Sequence, residues 1–289
     1  MVRQVLNGIG PGVLRILAVS LCGLAPAVRA EEPNALGLPP QAFANKGTLV
    51  ICGGGRTPEP IYKEFVDLAG GRKARIVLIT SAYPYRDQEH VERRLSGWKN
   101  MGADSVVFLD AKSRDEADSA RFVRPLEEAT AVWLAGGSQS RLMRLCGGTR
   151  TERAVREVLN RGGVVAGYSA GAAAMSQLMI RYGATSAVLG EGIGLLNGAV
   201  VDQHFTQRGR YSRLLGVLEE NPGVVGIGVD EGTAAVVQRN QLRVLGNSQV
   251  SVCVPLRGQG TAVYRLKPSQ TADLSKIRGT LAMSPQMTK

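Results

Sequence analysis

The chain has 289 residues, 44% hydrophobic and 5% aromatic, with 35 Lys and Arg against 24 Asp and Glu, a formal charge of +11. That apolar content supports a packed core and excludes a disordered or low-complexity protein. The basic residues are scattered, with no consecutive Lys/Arg block and no aromatic interleaving, so a nucleic-acid partner is not indicated.

The first thirty residues differ from the rest. Arg3 and Arg15 precede the apolar run ILAVSLCGLAPAV, which ends in VRA before EEPNALGLPP. A basic start, a short apolar stretch and small residues at its end describe a secretory signal peptide cleaved near Ala30. The run is too short, and too broken by Gly23 and Pro26, to span a membrane. A lipid anchor through Cys22 would need a small residue where Leu21 stands. The mature protein is expected to be periplasmic or secreted, with 32 basic residues against 24 acidic ones. Residues 31–46 read as a lead-in and 47–267 as a single domain. Residues 268–289 lack apolar periodicity and read as a mobile tail.

Within the domain, GTLVICGGG (47–55) predicts a strand ending in glycines, and PEPIYKEFVDLAGG a helix with Pro near its start and Gly at its end. ARIVLIT (74–80) is a second strand, DQEHVERRLSGWKNMG (87–102) a second helix, DSVVFLD a third strand and EATAVWLAGG (128–137) a fourth. SQSRLMRLCGG and TRTERAVREVLNRGG read as helices, and VVAGYSAG opens on another strand. Continuous apolar strands alternating with amphipathic helices predict an α/β fold with a parallel sheet covered on both faces. After about residue 222, closely spaced strand runs joined by RNQ and GNS turns predict C-terminal antiparallel hairpins appended to that sheet.

Gly167-Tyr168-Ser169-Ala170-Gly171 has the G-x-S-x-G form of a nucleophile elbow, between the strand GVVA and a helix beginning AGAAAMSQLM. In an open α/β sheet, reacting groups gather at the carboxyl ends of the strands, where Ser169 falls. The amide of Ala170 would face the same spot and suits an oxyanion. The plain structural alternative is a serine N-cap in a close-packed turn. A serine hydroxyl needs a base, and His204, in VVDQHFTQRGRYSRLL, is the only histidine after the elbow. An acid to orient it is offered by Asp230 or Glu231 at the end of the apolar run GIGV. The resulting order, serine, histidine, acid, is not the serine, acid, histidine order of α/β-hydrolases. The only other histidine, His90, is distant in sequence, so no zinc-ligand cluster is visible and no cofactor is called for. Cys52 and Cys253 lie in apolar strand-like runs, where a buried free thiol is the default; Cys146 is the third in the mature chain.

Together the elbow, DQHF with its trailing arginines, AGGSQ and GIGVDEGTA resemble the cyanophycinases over roughly residues 47–255. These are serine peptidases of the S51 group, related to aspartyl dipeptidases, with a flavodoxin-like fold akin to class I glutamine amidotransferases. The resemblance implies Ser169 as nucleophile, His204 as general base and Glu231 as orienting acid. It suggests Gln139, Asp202, Gln203, Arg208, Arg210 and Arg213 as substrate contacts, with Asp202 on a substrate guanidinium and the arginines on carboxylates. It implies a homodimer and, as substrate, cyanophycin, a polyaspartate carrying arginine on each β-carboxyl, released as β-Asp-Arg. Ser138 departs from the family, which has an acid there (GGDQ). An aspartyl dipeptidase acting on short α- or β-aspartyl peptides, or a non-catalytic binding protein for acidic peptides, stands beside this reading.

Overall fold

The structure, a computed structural model, describes residues 46–83, 98, 100–221, 223–256 and 260–275. The expected leader, and most of the expected helix over 87–102, lie outside the described residues. Five apolar runs form the parallel strands β1 (Thr48–Cys52), β2 (Arg75–Ile79), β3 (Ser105–Leu109), β4 (Ala131–Leu134) and β5 (Val164–Tyr168), in spatial order β3-β2-β4-β5-β1. Because strand side chains alternate, each run supplies both faces. Leu49, Ile51, Val77, Ile79, Val132 and Leu134 enter one core with the helices on that side. Val50, Ile76, Leu78, Trp133 and Ala166 enter the other.

The helices are α1 (Glu59–Leu68), α2 (Arg114–Ala117), α3 (Ala120–Glu127), α4 (Gln139–Cys146), α5 (Arg150–Asn160), α6 (Ala170–Ala174) and α7 (Tyr211–Glu220). Helix α1 covers one face with Ile61 and Phe65, while Phe122, Leu142 and Val158 of α3, α4 and α5 cover the other. The α/β layering is therefore that expected. The sequence reading assigned nothing between residues 111 and 127. Two helices stand there, capped by Ser113 and Ser119, whose hydroxyls accept from the amides of Glu116 and Phe122.

Beyond the elbow, the expected helix is cut short. It stops after Ala174, because the carbonyls of Ala174, Met175 and Ser176 accept from Ile193, Leu195 and Gly194 rather than from a further turn. The chain then forms the hairpin β6 (Leu178–Tyr182) and β7 (Val188–Glu191).

The C-terminal strands divide between two sheets, a correction to the single appended set. β10 (Thr233–Gln238) and β11 (Gln241–Gly246) extend the main sheet antiparallel beyond β1. β9 (Val225–Val229), β12 (Val250–Leu256) and β13 (Gly260–Leu266) instead join β8 (Ala199–Gln203) in a four-stranded sheet. It packs closely against its neighbours: a Cβ on Gly228 would lie 2.4 Å from the Phe205 ring, and one on Gly226 3.0 Å from Leu214. Residues 268–275 also differ from the expected tail. β14 (Thr271–Asp273) pairs with β11, and Leu274 is buried, so the packed domain runs past its expected limit at 267. No helix among the described residues is long and apolar enough to cross a membrane.

Candidate active site

The site lies at the carboxyl end of β5, flanked by the ends of β1 and β4. Ser169 follows β5 with φ 52° and ψ −108°, the strained turn that turns a side chain out of the sheet. Its neighbours must be small. A Cβ on Gly167 would lie 2.6 Å from the carbonyl of Gly171, and one on Gly171 2.2 Å from the carbonyl of Leu134. Ala170 is the first residue of α6, where an amide has no partner within the helix.

His204 directly follows β8 and also has positive φ, 49°. Its Nε2 lies 2.8 Å from Ser169 Oγ, and its Nδ1 lies 2.5 Å from Oε1 of Glu231. A carboxylate only accepts, so Nδ1 carries the proton and Nε2 is left as the acceptor for the serine hydroxyl. Burial pushes the imidazole below its ordinary value of 6.5; the Glu231 hydrogen bond opposes this, and Arg208 and Arg210 reinforce it. Burial thus favours the neutral ring, the form that can take a proton.

Three successive carbonyls at the end of β1 hold the three segments. Cys52 accepts from the amide of Ser169 at 3.0 Å, Gly53 from His204 at 2.8 Å and Gly54 from Gly232, beside Glu231, at 2.9 Å. Gly54 and Gly55 have φ of 102° and 68°, and a Cβ on either would strike His204 or Glu231 respectively. Sequence reasoning took these glycines only as a strand end. It also missed Gln207, whose Oε1 accepts from the amide of Glu231, and Tyr168, whose hydroxyl donates to the carbonyl of Gly55. Of the two candidate acids, Asp230 points elsewhere, accepting from the amide of Thr206 and the hydroxyl of Ser248.

The expected substrate contacts separate into different groups. Asp202 is 1% exposed and forked by Arg213, with Arg210 adding a third contact at 3.4 Å. Its carboxylate is thus engaged by arginines of the protein itself. Burial pushes this carboxyl up, against the pull of Arg213. Arg213 is itself buried and also donates to the carbonyl of Gly183 in the β6–β7 turn. Gln203 is buried and accepts from Arg210 through its side chain at 2.9 Å. Gln139 donates to the carbonyl of Ile180 at 3.0 Å. Arg208 is exposed, and its guanidinium has no partner among the described residues. Ser138 caps α4 by accepting from the amide of Arg141.

Cys52, Cys146 and Cys253 are free and buried, and burial pushes their thiols up to about 12, 11 and 12. Among the described residues, no group of three or more His, Cys, Asp or Glu could hold a metal ion.

Comparison with known proteins fits this arrangement. A peptidase from an acI-B1 Actinobacterium superposes with a TM-score of 0.61 over 80% of this chain and 98% of its own, at 23% identity, a likeness of fold. A cyanophycinase of Nostoc sp. is 34% identical over 229 residues, 73% of this chain and 75% of the relative. One from Geminocystis herdmanii is 32% identical over 220 residues, 72% and 80% of the two chains. Residues 49–245 match Peptidase family S51. With the match spanning most of the folded chain, the protein belongs to peptidase family S51 and is a cyanophycinase-like peptidase.

Proposed function

We propose that the protein is a secreted serine exopeptidase that hydrolyses cyanophycin to β-Asp-Arg dipeptides through an acyl-enzyme. Ser169 Oγ attacks the scissile carbonyl while His204 Nε2 takes its proton, and Glu231 steadies the imidazolium that forms. The carbonyl oxygen, negative in the tetrahedral intermediate, is met by the amide of Ala170. His204 returns the proton to the leaving amine as the carbon–nitrogen bond breaks. Water, activated by the same imidazole, then releases the acid and restores the serine. Arg208 and Arg210 meet carboxylates of the substrate, and the Asp202–Arg213 pair and Gln139 hold the walls of the cleft.

The observation that carries the reading is the 2.8 Å contact between Ser169 Oγ and His204 Nε2, with the far nitrogen of the ring held by Glu231. The name cyanophycinase borne by the Nostoc and Geminocystis relatives supports the substrate. Purified protein incubated with cyanophycin should yield β-Asp-Arg by mass spectrometry, and Ser169→Ala should lower its rate by about 10⁴-fold or more while leaving the fold intact. Retained turnover by that variant overturns the mechanism. Faster hydrolysis of an α- or β-aspartyl dipeptide than of the polymer moves the substrate assignment to short peptides. Export with cleavage near Ala30 is tested by N-terminal sequencing of the secreted protein, and a homodimer by light scattering.

A further inference from the structure

A groove of about 490 Å³ lies between α4 and the β6–β7 hairpin, a volume in the range of small-molecule sites. Ser138, Arg141 and Arg144 line one side, and Arg181 and Glu191 the other. Three arginines and one glutamate therefore line a single space. Arg141 Nε donates to the carbonyl of Ser81, and Arg181 Nε reaches Ser140 Oγ at 3.5 Å. Among the described residues, neither Glu191 nor the guanidinium of Arg144 has an ion-pair partner, although cations and anion share the groove. Gly190 makes room for this arrangement, since a Cβ there would lie 2.5 Å from Cδ of Arg181.

The groove is fixed in place and close to the elbow. Gln139 Nε2 ties α4 to the carbonyl of Ile180, and Arg213 ties the carbonyl of Gly183 to α7. A Cβ on Gly136 would lie 3.6 Å from Cβ of Ser169. Ser138, on the rim, is two residues farther, at most about 7 Å of extended chain. The Ser138 rim is thus within about 12 Å of Ser169, about three to four residues of extended chain.

We infer that this groove is an outer subsite for the arginyl arm of a cyanophycin unit neighbouring the one being cleaved. The inference rests on the substrate proposed above. Each arm ends in both a carboxylate and a guanidinium. Arg144 and Arg181 suit the first by charge-assisted hydrogen bonds, and Glu191 suits the second. The subsite makes substrates of several units bind better than one with a single linkage.

The test uses an oligomer of three β-Asp-Arg units and a single-linkage substrate. In the Ser169→Ala background, Arg144→Glu with Arg181→Glu should weaken calorimetric binding of the oligomer about tenfold, and Glu191→Gln about threefold. With Ser169 intact, the same changes should alter kcat/KM on the single-linkage substrate by less than about twofold. Equal thermal midpoints check that the fold is kept. Unchanged oligomer binding overturns the subsite, as does an equal fall on both substrates. If the parent neither binds the oligomer nor cleaves the polymer, the substrate reading itself fails; if the parent does both and the variants match it, only the groove is excluded.

Discussion

A Cβ added to Gly54 would stand 2.4 Å from both Cε1 and Nε2 of His204, on the side of the ring that meets Ser169. The imidazole is therefore seated against bare backbone, and any side chain at residue 54 displaces it. The φ of 102° at Gly54 adds strain for any other residue. Gly54→Ala should lower kcat/KM by about 100-fold, because a shift of about 1 Å in a reacting group has that effect. The destabilisation should be about 1–3 kcal/mol, so urea unfolding and peptide hydrolysis measured together separate loss of geometry from loss of fold.

The rate should fall on the acid side with an inflection below 6.5, since the burial of His204 holds its imidazole below that value. Protonated imidazole cannot accept from Ser169, so activity is present above the folded ionisation and lost as pH falls through it. Arg208→Ala removes a positive charge that disfavours protonation, and should move the acid limb of kcat/KM to higher pH. Glu231→Gln removes a partner that favours it, and should move the limb to lower pH with a reduced plateau. A shift in the opposite sense in either variant contradicts this account of the site.

Asp202 and Arg213 are both buried and hydrogen-bonded to each other. Asp202→Asn leaves Arg213 charged without an anion and should cost about 3–5 kcal/mol in urea unfolding. The double change Asp202→Leu, Arg213→Met should recover most of that stability. It should not recover activity, because the tie from Arg213 to Gly183 is absent.

Thiol reagents and serine reagents should act differently. The three buried cysteines have thiols pushed up to about 11 or 12, so almost no thiolate exists at neutral pH. Iodoacetamide should leave activity unchanged in the folded enzyme. A fluorophosphonate should inactivate it with one adduct per chain, on Ser169, and intact-mass spectrometry with peptide mapping reads both results.

The parallel half of the fold was legible because each strand is buried on both faces and so reads as an unbroken apolar run, as in TLVIC and AVWL. The elbow was legible because its glycines stand at fixed offsets around one serine. The β6–β7 hairpin was not: AGAAAMSQLM continues a helix-like composition, while long-range hydrogen bonds from residues 192–196 take up the carbonyls that a further turn would use. Local composition carries no trace of such distant partners. The same holds for Asp202 and its arginines. Their charges suited an ionic ligand, yet spacing along the chain could not reveal that they face each other. The split of the C-terminal strands between two sheets is set by which strand each one pairs with, β1 for β10 and β8 for β9, and those partners are again remote in sequence.

The carbonyls of Cys52, Gly53 and Gly54 each grip one of the segments that carry the serine, the imidazole and the acid. The strand made first is thus the fixture on which parts made later are clamped. On the proposed mechanism a nascent chain has no competent centre until residue 232 has left the ribosome and turned back onto that strand. Partial translation products are then expected to be inert, whichever of the three groups they already contain.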